Sequence, residues 1–266
     1  MDLELGGKTA IVTGGASTIG KAIAEGLAEE GANVVVADID KEQATRVVEQ
    51  LNDMGDGEAI FIEADVTNAQ QIEQMAAQTL ERFGQIDILI NNAGWTANDL
   101  FLNKPVSDFE KEIAINLWGP INCIRAVAPS MIERNYGKII NIGSDAGQVG
   151  EYNEAVYSAC KGGVNMMSKA LAREFGKYNI NINVVSPGLT LPESEDDAGA
   201  DSLWHKGSHQ SKIFQNDEIL AKVVKRYPLR RHGVPSDIAP LVLLLASDKS
   251  SYATGQVISV SGGYSM

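Results

Sequence analysis

Residues 8–13 (KTAIVT) are a short apolar, β-branched run. They end at a glycine-bearing stretch, residues 14–20 (GGASTIG), which leads straight into helical periodicity over residues 21–30. Strand, glycine turn and helix in that order leave few folds open. The turn brings backbone N–H groups and a helix N-terminus to one place, an arrangement suited to a pyrophosphate.

The same alternation continues. Residues 33–37 (NVVVA), 59–64, 86–90 (IDILI), 137–142 (GKIINI), 180–185 and 256–260 read as strands. Residues 41–51, 68–83, 107–118, 121–133, 154–177 and 235–247 read as helices. Alternating strands and helices predict an α/β doubly wound parallel sheet, with right-handed crossovers that gather the loops after the strands on one rim. No repeat, linker or low-complexity tract interrupts residues 1–266, so one domain is expected. Only residues 189–231 break the rhythm, and a long irregular segment following a strand is expected to form a substrate lid.

Asp38 ends the second strand at the distance from the glycine turn where a carboxylate can accept hydrogen bonds from an adenine-ribose diol. It would repel a 2′-phosphate, which favours NAD over NADP. The other reading is a cap for the helix over residues 41–51. Tyr157 and Lys161 stand four residues apart and share a helix face. A phenol titrates near pH ~10, and a neighbouring ammonium lowers that value, so the pair suits proton transfer.

Charge and cysteine usage exclude other classes. A formal net charge of −13 argues against nucleic acid as a partner. No apolar run is long enough to span a membrane, and residues 1–8 lack the pattern of a signal peptide. Cys123 and Cys160 fall in predicted helices without metal-ligand spacing, so a reducing, cytoplasmic setting and no disulfide are expected. No metal site is expected; His205, His209 and His232 read as lid or surface residues.

With Thr13-Gly14-x-x-x-x-x-Gly20, Asp65-Val66, Asn91-Asn92-Ala93-Gly94, Asn116, Ser144, Tyr157, Lys161 and Pro187-Gly188-x-Thr190 in order, the chain resembles the short-chain dehydrogenase/reductase family over nearly its whole length. The resemblance implies a Rossmann fold and hydride transfer between a carbinol carbon and NAD. It assigns the phosphate side of the cofactor to Gly14, Ser17, Thr18, Ile19 and Gly20. The adenosine side falls to Asp38, Asp65 and Val66. The nicotinamide side falls to Asn92, Ala93, Gly94, Pro187, Leu189 and Thr190, with Tyr157 and Lys161.

The same resemblance makes Tyr157 the general acid/base, with Lys161 lowering its pKa. Ser144 would bind the substrate oxygen, and the backbone of Asn116 would support a proton-carrying water chain. One departure stands out: Thr18 occupies the place of the family's third turn glycine. Either threonine is tolerated there, or cofactor binding is weakened and the chain is a non-catalytic structural subunit of a hetero-oligomer.

Trp95, Ser144, Gln148, Glu154 and Trp204 are the expected substrate contacts, and aromatic walls suit a ring-bearing alcohol. Lys206, Lys212, Lys222, Lys225, Arg226, Arg230 and Arg231 collect positive charge around the lid, which would suit an anionic tail such as that of a coenzyme A thioester. The C-terminal GQVISVSGGYSM resembles members that oxidise hydroxyacyl-CoA intermediates of cyclic or aromatic acid breakdown. The family resemblance also implies a tetramer, homo- or hetero-oligomeric.

Overall fold

Seven short runs rich in Val and Ile pair into one parallel sheet in the computed structural model, which describes residues 2–194, 197–199, 202, 204–205 and 208–266, the side chains of 209, 210 and 213 excepted. The strands are β1 (Thr9–Thr13), β2 (Asn33–Asp38), β3 (Ala59–Glu63), β4 (Ile88–Asn91), β5 (Gly137–Ile142), β6 (Ile180–Pro187) and β7 (Val257–Val260). Their order is β3-β2-β1-β4-β5-β6-β7. Thr13 at the end of β1 lies beside Ala37 of β2 and Asn91 of β4. The winding reverses between β1 and β4, and a crevice opens there outside the carboxyl ends of the strands.

The helices are α1 (Thr18–Glu29), α2 (Lys41–Leu51), α3 (Ala69–Phe83), α4 (Val106–Ile113), α5 (Gly119–Arg134), α6 (Ala146–Val149), α7 (Ala155–Phe175), α8 (His209–Phe214), α9 (Asp217–Val224) and α10 (Pro235–Ala246). Alternate strand residues serve opposite faces. Ala10, Val12, Val34, Val36, Ile88 and Ile90 pack with Ile23 and Leu27 of α1 and Val242 of α10. Ile11, Val35, Leu89, Ile139 and Ile182 pack with Ile72 and Met75 of α3 and Val127 and Met131 of α5. Burial on both faces explains why these strands read as continuous apolar runs. No described helix is long and apolar enough to cross a membrane.

Three boundaries differ from expectation. The first helix begins at Thr18, so the glycine turn is shorter than residues 14–20. β6 runs on through Ser186 and Pro187, where both residues pair with β7. The two helices expected over residues 107–118 and 121–133 form a single helical run, joined by a π-helical turn at Ala114–Trp118. Pro120 has no N–H to give the carbonyl of Asn116, so a regular α-helix cannot continue there. Wider π turns of this kind recur at functional sites.

A buried ion pair anchors the start of that run. Lys104 Nζ donates to Glu112 Oε1 at 2.6 Å, with both side chains at most 1 % exposed. Thr96 Oγ1 and the Ala97 N–H donate to the same oxygen, tying the loop after β4 to α4. Lys104→Met leaves Glu112 as an unpaired buried charge, and urea denaturation should show a loss of about 3–5 kcal/mol. Adding Glu112→Leu to that variant should restore much of it.

Candidate active site

A cavity of about 720 Å³ runs along the crevice. Gly14, Ser17, Thr18 and Ile19 line it where β1 meets α1. Ser17 precedes α1 without using its side chain as a cap, and the first turn of α1 holds no acidic residue. The N–H groups of that helix end are thus left to an anion.

Close approach is built in beside them. A Cβ on Gly20 would meet Gly14 O at 2.0 Å and Asn92 Nδ2 at 2.5 Å. Asn92 Nδ2 donates to Thr13 O at 3.1 Å and Gly14 O at 3.0 Å, stapling the turn to the end of β4. Thr18 has φ +46°, the left-handed conformation that glycine adopts freely. A β-branched residue there carries strain of about 1–2 kcal/mol. Thr18 therefore holds a backbone conformation that glycine adopts without strain.

Asp38 lines the next part of the cavity. Its Oδ2 accepts from the Ala16 N–H at 3.0 Å, and its Oδ1 from the N–H groups of Ile39 at 2.8 Å and Asp40 at 3.1 Å. Burial raises its pKa, while these N–H groups act the other way. The capping alternative fails, because Asp40 is the residue that caps α2 through Gln43 N–H. Asp65 and Val66 also line the cavity; Asp65 accepts from Thr67, and Asn68 is the residue that caps α3.

Ala93, Gly94, Pro187, Leu189 and Thr190 line the other half, with Tyr157, Ser144 and Lys161 between them. Tyr157 and Ser144 share a hydrogen bond. Lys161 Nζ donates to Ile142 O at 2.8 Å and lies 5.6 Å from the centroid of the Tyr157 ring. Lys161 is 4 % exposed, and burial pushes its pKa down to about 8. Burial pushes Tyr157 upward, Glu154 and Glu112 add to this, and the Ser144 bond opposes it. The expected lowering of the phenol pKa by Lys161 is thus overridden by desolvation among the residues present. An oxidised nicotinamide would supply the missing positive charge.

Asn116 is fully buried within the π turn, which excludes a surface role. Its Oδ1 accepts from the Trp95 N–H at 3.1 Å, and its Nδ2 donates to Trp95 O at 2.6 Å and Glu112 O at 2.8 Å. Asn116 therefore orients the loop that carries Trp95.

On the substrate side, Trp95, Glu154 and Trp204 line the cavity, and Gln148 does not. Gln148 is exposed and donates to Asp145 Oδ1 at 3.3 Å. Lys111 lies over the Trp95 ring at 4.1 Å, and Trp204 meets Phe214 edge-on at 5.7 Å. Of the described lid cations only Arg226 lines the cavity, and it is engaged by Glu151 at 3.5 Å and by the Tyr264 hydroxyl. Arg231 pairs with Asp237. Lys206 lies outside the described residues. Lys212, Lys222, Lys225 and Arg230 do not line the cavity.

Sequence reasoning missed Glu151, Tyr227 and Tyr264. The Tyr264 hydroxyl donates to Glu151, and its ring stacks on Tyr227 with centroids 4.8 Å apart. These contacts join residues far apart in the chain, which no local pattern signals.

A family model described as enoyl-(acyl carrier protein) reductase matches residues 14–265. The 3-oxoacyl-(acyl-carrier-protein) reductase FabG of Staphylococcus aureus is 37% identical over 260 residues, covering 97% of this chain and 98% of that protein. FabG of Thermotoga maritima is 36% identical over 262 residues, covering 98% and 99%. A crystal structure from Agrobacterium tumefaciens, provisionally assigned as a gluconate dehydrogenase, superposes with TM-score 0.88 at 32% identity, covering 99% of this chain and 98% of that one.

Two outcomes follow from this geometry. Thr18→Gly relieves the left-handed strain, and thermal unfolding should show about 1 kcal/mol of added stability, reduced by glycine's greater freedom when unfolded. Burial holds the Glu154 carboxyl up to about 7, with Glu151 and Glu112 adding to the shift. A carboxyl whose folded pKa is raised contributes full stability below its unfolded value and loses it as pH rises through the folded one. Glu154→Gln should therefore raise the melting temperature at pH ~8, and the gain should vanish near pH ~4.

Proposed function

Since this chain belongs to the short-chain dehydrogenase/reductase family of oxidoreductases, we propose that it is an NAD-dependent dehydrogenase that oxidises a secondary alcohol to a ketone. The observation that carries the cofactor choice is Asp38. Its carboxyl lies at the end of β2 in the cavity wall, with Asp40 two residues on, so a 2′-phosphate would meet negative charge. The residues fit a dinucleotide. The open end of α1 and the Gly14–Gly20 contact suit the pyrophosphate, and Asp65 and Val66 flank the adenine side.

A bound nicotinamide would supply the hydride acceptor; the remaining work falls to the chain. Ser144 holds the carbinol oxygen beside the Tyr157 hydroxyl. Tyr157 takes the hydroxyl proton, and Lys161, charged below pH about 8, stabilises the phenolate. Asn116 keeps Trp95 in the cavity wall and leaves its own carbonyl without an α-helical donor from Pro120, which suits a water chain leading from Lys161.

Trp95, Trp204 and Tyr227 line the substrate end and support a ring-bearing alcohol. The coenzyme A alternative is less well supported, because Arg226 is already engaged by Glu151 and Tyr264. The non-catalytic reading rested on Thr18, whose backbone holds a conformation open to glycine. Residues 189–231 act as the lid. Trp118 and Met166, each more than half exposed on the helical run and on α7, support association into a tetramer through those helices.

Calorimetry tests the cofactor choice. NAD should bind with micromolar affinity and NADP at least about tenfold more weakly, and Asp38→Ala should close the gap by about tenfold. Equal affinities in the unaltered protein would refute the role of Asp38. No binding of either would restore the structural-subunit reading.

A further inference from the structure

Short polar side chains just before a helix ordinarily turn back to cap its N–H groups, and the longer glutamate does so less readily. Glu154 immediately precedes α7 and makes no such bond. Its half-buried side chain lines the cavity instead, one helical turn before Tyr157. Asn98, on the loop after β4, lines the same cavity, and its side chain favours the charged form of the carboxyl. That position borders the reacting centre without belonging to the Ser144–Tyr157–Lys161 group.

No ion pair to this carboxyl forms among the described residues, and Lys111, which lines the same cavity, lies over the Trp95 ring at 4.1 Å. Lys104 is paired with Glu112 at 2.6 Å, and Arg226 with Glu151 at 3.5 Å. Glu112 Oε2 has no hydrogen-bond partner among the described residues. The wall beside Tyr157 thus carries Glu154 and Glu151, with the fully buried Glu112 behind it, and burial keeps Glu154 partly protonated near neutrality. A substrate carboxylate or phosphate placed there would be repelled. A neutral hydroxyl would not. It donates to a carboxylate and accepts from a carboxylic acid, so its recognition survives titration of the group.

We propose that Glu154 is a specificity-determining residue whose carboxyl binds a hydroxyl on the carbon next to the reacting carbinol, so that the preferred substrate is an uncharged vicinal diol. This inference rests on the dehydrogenase reading and narrows its substrate. Asn98, which lines the same cavity and whose side chain favours the charged Glu154 carboxylate, is a positioning residue.

The test compares trans-cyclohexane-1,2-diol with cyclohexanol, by binding to the NADH complex in calorimetry and by NAD-linked turnover. The unaltered protein should favour the diol by about tenfold, the worth of one buried hydrogen bond. Glu154→Ala should abolish that ratio. Glu154→Gln, which still donates and accepts, should keep most of it. Asn98→Ala should reduce it less than Glu154→Ala does.

A wild-type ratio near one, in binding or in turnover, overturns the proposal and leaves the dehydrogenase reading standing. A ratio that survives Glu154→Ala overturns it too. Turnover of neither alcohol, with diol selectivity present in binding and lost in Glu154→Ala, supports the subsite and counts against the dehydrogenase reading.

Discussion

The position of β1 between β2 and β4 is the constraint from which the site follows. Because Thr13 lies beside both Ala37 and Asn91, the chain must leave the sheet in opposite winding directions on the two sides. Right-handed crossovers then place helices on both faces and part the loops above β1. The Asn92 amide, bonded to Thr13 and Gly14 carbonyls, fixes the width of that parting. Cofactor cradle, Asp38 and the Tyr157 group all sit along one edge because the topology delivers every strand end there.

The electrostatics of the pocket follow from dryness more than from pairing. Desolvation moves Tyr157 up and Lys161 down, so each group favours its neutral form. The Ser144 bond opposes the shift of Tyr157, whereas nearby carboxyls reinforce it. A tyrosine in this condition holds its proton until positive charge arrives. A bound oxidised nicotinamide would supply such a charge and favour release of the proton.

Much of the architecture was legible because burial on both sheet faces writes β-branched runs bounded by glycine and asparagine. The helix expected over residues 41–51 is α2 to the residue. Gly14, Asp38, Asn92, Ser144, Tyr157 and Lys161 line one cavity, since each lies at a strand end or on a helix facing one. Other features were hidden for physical reasons. Gly119-Pro120 reads as a break between helices, and only the π turn makes the run continuous. Gln148 has a plausible spacing from Ser144, yet its amide finds Asp145 instead. The Glu151–Tyr264 and Arg226–Glu151 contacts join distant segments, and the second engages Arg226, one of the cations that composition alone had suggested for an anion.

The π turn also sets a rotational phase. Each residue of an α-helix advances the side-chain direction by about 100°, and the widened turn at Ala114–Trp118 takes up one extra residue between α4 and α5. Glu112 can therefore face Lys104 and Thr96 while Cys123, Val127 and Met131 face the sheet. A uniform helix through the same residues would put one of those two faces out of step. The run works as a single rod with two aims, one serving the loop that carries Trp95 and the other serving the core.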